Sequence, residues 1–204
     1  MLDRVRELIR NNPDREAFFR LIGKLFPYGS RDYLLINDAY DTAKNYFRGK
    51  RREVNNERYF EHLRAVALIV MVHMRVRNAE IIAAALLHDI VEDVEGWTPE
   101  RVAVKFSPNV SELVWWVTKQ PIEWYEGDKE ARNRSYHQNL TNAPRDALII
   151  KLADRLHNCL DLWHLHAEKQ KRKIRETQDF YLPLAEKHIL LIHEIEGALN
   201  TVIK

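Results

Sequence analysis

Thirteen consecutive residues constrain this chain more than any others: Ile81-Ile82-Ala83-Ala84-Ala85-Leu86-Leu87-His88-Asp89-Ile90-Val91-Glu92-Asp93. The stretch from Ile81 to Leu87 is wholly apolar, the composition of a helix buried all round rather than along one stripe. It runs straight into an imidazole beside a carboxylate, and one turn later into two more carboxylates. On a continuous helix His88 and Glu92 share a face, and so do Asp89 and Asp93. Three carboxylates and a histidine at the end of a buried run are costly to desolvate, and a bound cation is the simplest compensation. For Leu86 to Asp93 alone, the plain alternative is a helix that emerges into solvent with an acidic end.

Period-3.6 patterning runs through almost all of the chain without strand alternation, so the expected fold class is all-α. Leu2 to Arg10 and Asp14 to Phe26 read as two helices, the second closed by Pro27-Tyr28-Gly29-Ser30. They are expected to form an N-terminal helical extension, residues 1–31, ahead of a main domain spanning 32–204. Asp32 to Phe47 predicts a third helix, with Tyr33, Ile36, Tyr40, Ala43 and Phe47 on one stripe. A basic loop follows from Arg48 to Asn56, ordinarily a solvated surface. The next helix starts near Tyr59 and carries His62 and, later, His73; taken singly, both read as structural.

Thr98-Pro99 and Ser107-Pro108 each join an N-cap to a proline at the first helical position. The second of these helices runs to Lys119, with Trp115 and Trp116 expected in the core. Ile122 to Asp128 reads as a loop. Lys129 to Leu140 reads as a polar helix whose Lys129, Arg132 and Arg134 are either solvated or a cationic wall facing a phosphate. From Arg145 the chain turns apolar again. Asp154 interrupts that buried face, with Asn158 and Asp161 following at i+4 and i+7. A buried aspartate needs a partner. Helices over Ala167 to Glu176 and Phe180 to Ile203 complete the chain as a C-terminal extension.

Composition excludes several classes. With 204 residues, 46% of them hydrophobic and 30% charged, the chain can bury one substantial core. Its longest apolar runs are too short to cross a bilayer, and Met1 to Arg6 lacks the apolar core of a signal peptide. A single cysteine, Cys159, rules out an internal disulfide framework; it reads as a small buried hydrophobe and fits a reducing cytoplasm. The net charge of +2 makes any anion-binding surface a local one. Neither a membrane nor a nucleic acid is an expected partner, and self-association stays open.

Taken together, His62, His88, Asp89 and Asp154 offer two imidazoles and two carboxylates from three helices. That mixture suits Mn²⁺, Fe²⁺ or Zn²⁺ and is wrong for an all-oxygen calcium site. The pattern resembles the HD-domain metal-dependent phosphohydrolases, whose ligands are H…HD…D. Ala84 to Asp93, Val117-Thr118-Lys119, Ile150 to Asn158, Glu168-Lys169-Gln170 and Tyr181 to Ala185 narrow the resemblance. They are similar to the hydrolase domain of the RelA/SpoT family, over roughly Ala39 to Ala185. That family removes the 3′-pyrophosphate of the alarmones ppGpp and pppGpp, and at this length the chain resembles its stand-alone small hydrolases, without room for a synthetase domain.

The resemblance implies an HD-domain helical bundle holding one Mn²⁺ on His62, His88, Asp89 and Asp154. It implies that Glu92 and Asp93 are the acidic pair that orients or deprotonates the attacking water. It further implies that Arg52 packs on guanine, that Asn158 contacts the nucleoside with Asp161 near the base, and that Lys129 approaches the phosphates of a small nucleotide substrate. The segment Asn56 to Leu63 lacks the glycine and proline of the family's Gly-Glu-Pro-Tyr and His-Pro elements, which leaves the path of the Arg52 loop open. Two alternatives stand beside this reading. One is hydrolysis of another nucleotide, such as an adenosine alarmone or a 2′- or 3′-phosphorylated nucleotide. The other is a non-catalytic nucleotide-binding or antitoxin module, against which the presence of both Glu92 and Asp93 counts.

Overall fold

The computed structural model describes residues 1–11 and 14–203. Among them the regular structure is helical, as the patterning predicts, apart from one isolated antiparallel bridge between Arg51 and Arg58. Two short helices, α1 (Leu2–Arg10) and α2 (Arg15–Ile22), precede α3 (Arg31–Tyr46) and α4 (Tyr59–Leu68). The middle of the chain forms α5 (Ala79–Leu87), the single turn α6 (Ile90–Asp93), α7 (Pro99–Lys105) and α8 (Pro108–Val117). The remainder forms α9 (Lys129–Thr141), α10 (Arg145–Leu160), α11 (Ala167–Glu176), α12 (Leu182–His188) and α13 (Ile192–Asn200).

Helix α5 is the axis of the bundle. Every residue of it except Glu80 is buried, and α3, α4, α8 and α10 pack around it. Ala83, Ala84 and Ala85 carry nothing beyond Cβ, so neighbours can approach its centre closely, while Leu86 and Leu87 are fully enclosed. Truncating either leucine to alanine costs about 2–5 kcal/mol. Asn78 starts α5 by accepting from the amides of Glu80 at 2.9 Å and Ile81 at 3.2 Å. Thr98 and Ser107 cap α7 and α8 ahead of their prolines, as the sequence predicts. No helix among the described residues is long and apolar enough to cross a membrane.

Three elements differ from expectation. Helix α2 stops at Ile22 rather than Phe26, because the chain tightens into i→i−3 bonds from Lys24 to Leu21 and from Leu25 to Ile22. The segment from Phe180 is not one helix. A π-helical turn (Thr177–Tyr181) leads into α12, and Ile189 and Leu191 then take positive φ of 54° and 56° before α13. Burial of Leu190 and Leu191 offsets that strain, and Arg145 caps the break by donating to the His188 carbonyl at 2.7 Å. Trp115 is 39% exposed and not core. The buried stripe of α8 is Val110, Leu113, Val114 and Val117, which turns position 115 outward. His73 is structural: its Nε2 meets Glu194 of α13 at 2.9 Å.

Candidate active site

The apolar run and the acidic motif do not form one helix. Helix α5 ends at Leu87, and Asp89 takes φ −101°, ψ 2° before α6 begins. His88 Nδ1 lies 2.9 Å from the Ala85 carbonyl, a local bond that competes with continuation of the helix. Asp89 sits at the N-cap of α6 yet makes no capping bond. Its Oδ2 accepts instead from the Tyr59 hydroxyl at 2.8 Å. The break therefore points both side chains inward, where an unbroken helix would have splayed them 100° apart.

Three helices converge there. His62, one turn into α4, places Nε2 3.3 Å from Asp154 Oδ1 and 3.7 Å from Asp89 Oδ2. His88 Nε2 lies 3.1 Å from Asp89 Oδ2 and 3.8 Å from Asp154 Oδ1. His62, His88 and Asp154 present ligand atoms all within 4.8 Å of one another, a candidate site for a divalent metal. Asp154 is further held by Lys151 Nζ at 2.8 Å and Asn158 Nδ2 at 2.6 Å, one turn to either side on α10. Burial opposes its charge, but Lys151 and the two imidazoles outweigh burial and hold the carboxyl well below the usual range. Burial likewise disfavours charge on His88, yet Asp89 and Asp154 raise its pKa to about 9. His62, fully buried, is pushed down by desolvation.

The donor set fits a cation. With Nδ1 of His88 directed at the Ala85 carbonyl, its buried Nε2 faces the carboxylate oxygens without a hydrogen-bond partner, and without an ion those carboxylates favour a proton on it, in keeping with the raised pKa. A metal ion would take that proton's place, satisfying the nitrogen lone pair and the carboxylate oxygens together. Two imidazoles with carboxylates match a borderline divalent ion.

Glu92 and Asp93 stand beside this cluster. Burial and the nearby Asp89 charge raise both carboxyl pKa values above the ordinary range. Glu92 accepts from the Lys119 amide at 3.2 Å and from Arg132 Nη2 at 2.9 Å. The backbone carbonyl of Asp93 accepts from Lys50, which ties the start of the basic loop to α6. Glu92 and Asp93 open, with His62, Asp89 and Asp154, onto a cavity of about 340 Å³ whose other walls include Arg52, Asn158, Lys119, Lys151, Lys169 and Lys173.

The structure brings most of the sequence-derived set together. His62, Asp89, Asp154, Glu92, Asp93, Arg52 and Asn158 line this one cavity, with His88 directly behind. Arg52 is buried and donates to Asp161 Oδ2 and, at 2.8 Å, to Asn158 Oδ1. Asp161 therefore holds Arg52 without itself lining the cavity. Lys129 stands apart: Asp128 caps α9, which leaves Lys129 exposed at the first helical position and outside the cavity wall. The helix instead turns Arg132 toward Glu92, though Arg132 does not line the cavity either. Sequence reasoning assigned no role to Tyr59, Lys151 and His157. Each lies three residues from a candidate ligand, and that i±3 spacing on one helical face is the signal that identifies them.

A family model for the HD domain matches residues 39–189. The chain belongs to the HD-domain family. The HD domain carries homology to the (p)ppGpp hydrolase domain of SpoT/RelA proteins. It is 36% identical over 167 residues to the bifunctional (p)ppGpp synthase/hydrolase SpoT of Escherichia coli, covering 81% of this chain and 23% of that protein. It is 37% identical over 178 residues to the GTP pyrophosphokinase of Streptomyces coelicolor, covering 86% of this chain and 20% of the relative. The chain thus spans less than a quarter of the length of these curated relatives. The HD domain also resembles the solved structure of a metazoan ortholog of SpoT, described as hydrolysing ppGpp and acting in starvation responses. The TM-score is 0.68 at 25% identity, covering 86% of this chain and 97% of that one.

Proposed function

We propose that this HD domain hydrolyses the 3′-pyrophosphate of guanosine alarmones, converting ppGpp and water to GDP and pyrophosphate, with Mn²⁺ on His62, His88, Asp89 and Asp154. The observation that carries the reading is the placement of two carboxyls with raised pKa, Glu92 and Asp93, beside this ligand cluster in one cation-walled cavity. When bound, the ion supplies Lewis acidity toward water and a phosphate oxygen. The chain's own groups do the rest. Glu92 or Asp93 takes a proton from the attacking water, and a carboxyl whose pKa is raised toward neutrality is the better acceptor. That proton is then available to the departing 3′-oxygen. Lys119, Lys151 and Lys173 face the incoming phosphates, Arg52 and Asn158 the nucleoside. The single, buried Cys159 suits a cytoplasmic setting.

A second reading, another phosphorylated nucleoside, draws on Arg52. Its guanidinium is already engaged by Asp161 and Asn158, which limits its freedom to stack on a base. The deciding experiment incubates the chelator-treated chain with ppGpp, pppGpp and their adenosine counterparts, each with Mn²⁺, Mg²⁺ or Zn²⁺, and separates the products. GDP with pyrophosphate, formed fastest with Mn²⁺, is the expected result. Preferential turnover of the adenosine series would establish the second reading, and no turnover of any nucleotide would overturn both.

A further inference from the structure

We infer that His157 is a positioning residue of the metal site, holding His62 in the tautomer that presents Nε2 to the ion. The inference rests on the proposed ligand set and deepens it. The two Nδ1 atoms lie 3.0 Å apart, buried, with ring centroids 4.9 Å apart. At that distance two ring nitrogens share a single proton. If His157 owned it, the proton of neutral His62 would sit on Nε2, facing Asp154 Oδ1 at 3.3 Å, and no lone pair would remain for an ion. A ligating His62 must therefore own the shared proton, with His157 accepting and keeping its own proton on Nε2.

The two ligand histidines are thus oriented by different means. A backbone carbonyl, that of Ala85, fixes His88. A side chain fixes His62, so that control is open to mutation. Helix α10 would supply the ligand Asp154, its supporting Asn158 and the acceptor His157 within five residues. Such outer partners typically affect metal affinity by 10–100-fold.

The test measures Mn²⁺ dissociation constants of the full chain by competition with a chelator, for wild type, His157→Phe and His157→Asn, with thermal melts to verify folding. Phenylalanine fills the space without an acceptor, whereas the asparagine amide oxygen falls near the place of Nδ1. Affinity is expected to drop about 10–100-fold in His157→Phe and to stay within about threefold of wild type in His157→Asn. Wild-type affinity in His157→Phe, or equal losses in both folded variants, would overturn the role. A measurement independent of variants is the histidine ¹⁵N spectrum of the Zn²⁺-loaded wild type. Nδ1–H on His62 and Nε2–H on His157 are expected, and the reverse assignment would overturn the inference. Failure of the wild type to bind any divalent ion would instead sink the metal reading, and this inference with it.

Discussion

Asn158 donates from Nδ2 to Asp154 Oδ1 at 2.6 Å, and its own Oδ1 accepts from Arg52 Nη2 at 2.8 Å. One amide therefore links the carboxylate proposed as a metal ligand to the arginine proposed to face the nucleoside. Asn158→Ala removes a hydrogen bond to a charged group on each side, each worth about 1.5–3 kcal/mol. Weaker metal binding and a kcat/KM lowered on the order of 10²-fold are expected together. Asp161→Asn, which touches Arg52 and lies 3.9 Å from His157 Nδ1 but does not touch Asp154, should lower kcat/KM with a smaller effect on metal affinity than Asn158→Ala. Equal effects of the two variants on metal affinity would show that the link is not transmitted through Asn158.

His62→Ala and Asp154→Ala should each lose bound metal. Asp154 is the more damaging change, because it also leaves Lys151 buried with its main counter-charge gone. The check is metal content after dialysis alongside the thermal melt. Asp154→Ala should lower the melting temperature as well as the stoichiometry, whereas His62→Ala should lower chiefly the stoichiometry. Full stoichiometry in either variant would remove that residue from the ligand set.

The all-α class, the helix starts at Thr98 and Ser107 and the grouping of His62, Asp89 and Asp154 were legible because each follows from periodicity, capping chemistry or residue type. The break after Leu87 was not. No glycine or proline marks it, and it depends on a bond from His88 to the Ala85 carbonyl that competes with the helix only once the bundle is assembled. The positive φ values of Ile189 and Leu191 hide in the same way, since neither residue type prefers left-handed backbone and the compensating burial, of Leu190 and Leu191, exists only in the assembled bundle. Arg132 was visible only as one of several cations on a polar helix. Its contact with Glu92 depends on how α9 lies against α8, which local patterning does not encode.

Glu92→Gln and Asp93→Asn should reduce turnover on the order of 10²-fold while retaining the ion. They should also stabilise the chelator-treated chain at neutral pH. Both carboxyls have pKa values raised on folding, by burial first and Asp89 second. A group raised in this way contributes stability below its unfolded pKa, about 4.3 for Glu and 3.9 for Asp, and that contribution is lost as pH rises through the folded value. The neutral amides escape the loss. Each variant's melting temperature should exceed wild type at about pH 7 and converge with it below about pH 4. A variant less stable than wild type at neutral pH would mean that its ionised carboxylate is a structural asset and not a poised base.

Lys119 and Lys129 separate two ways of attracting a polyphosphate. Lys119 lines the cavity and donates to Asn133 Oδ1 at 2.9 Å, and burial together with the neighbouring Lys151 lowers its pKa to about 8. Lys129 is exposed outside the wall, where it can act only through screened field. Lys119→Ala should raise KM on the order of tenfold, the size of one hydrogen bond to a charged group, and the effect should persist at high salt. Lys129→Ala should raise KM less, and the effect should vanish near about 1 M salt, where the screening length falls to roughly 3 Å. The depressed pKa of Lys119 adds a pH signature. Its charge is present below about pH 8 and lost above it, so wild-type kcat/KM, which reports the free enzyme, should decline above that pH. Lys119→Arg, charged throughout, should flatten the decline. A wild-type profile that stays level through this range, or an equal fall in Lys119→Arg, would remove Lys119 from phosphate recognition and return that role to the remaining cations of the wall.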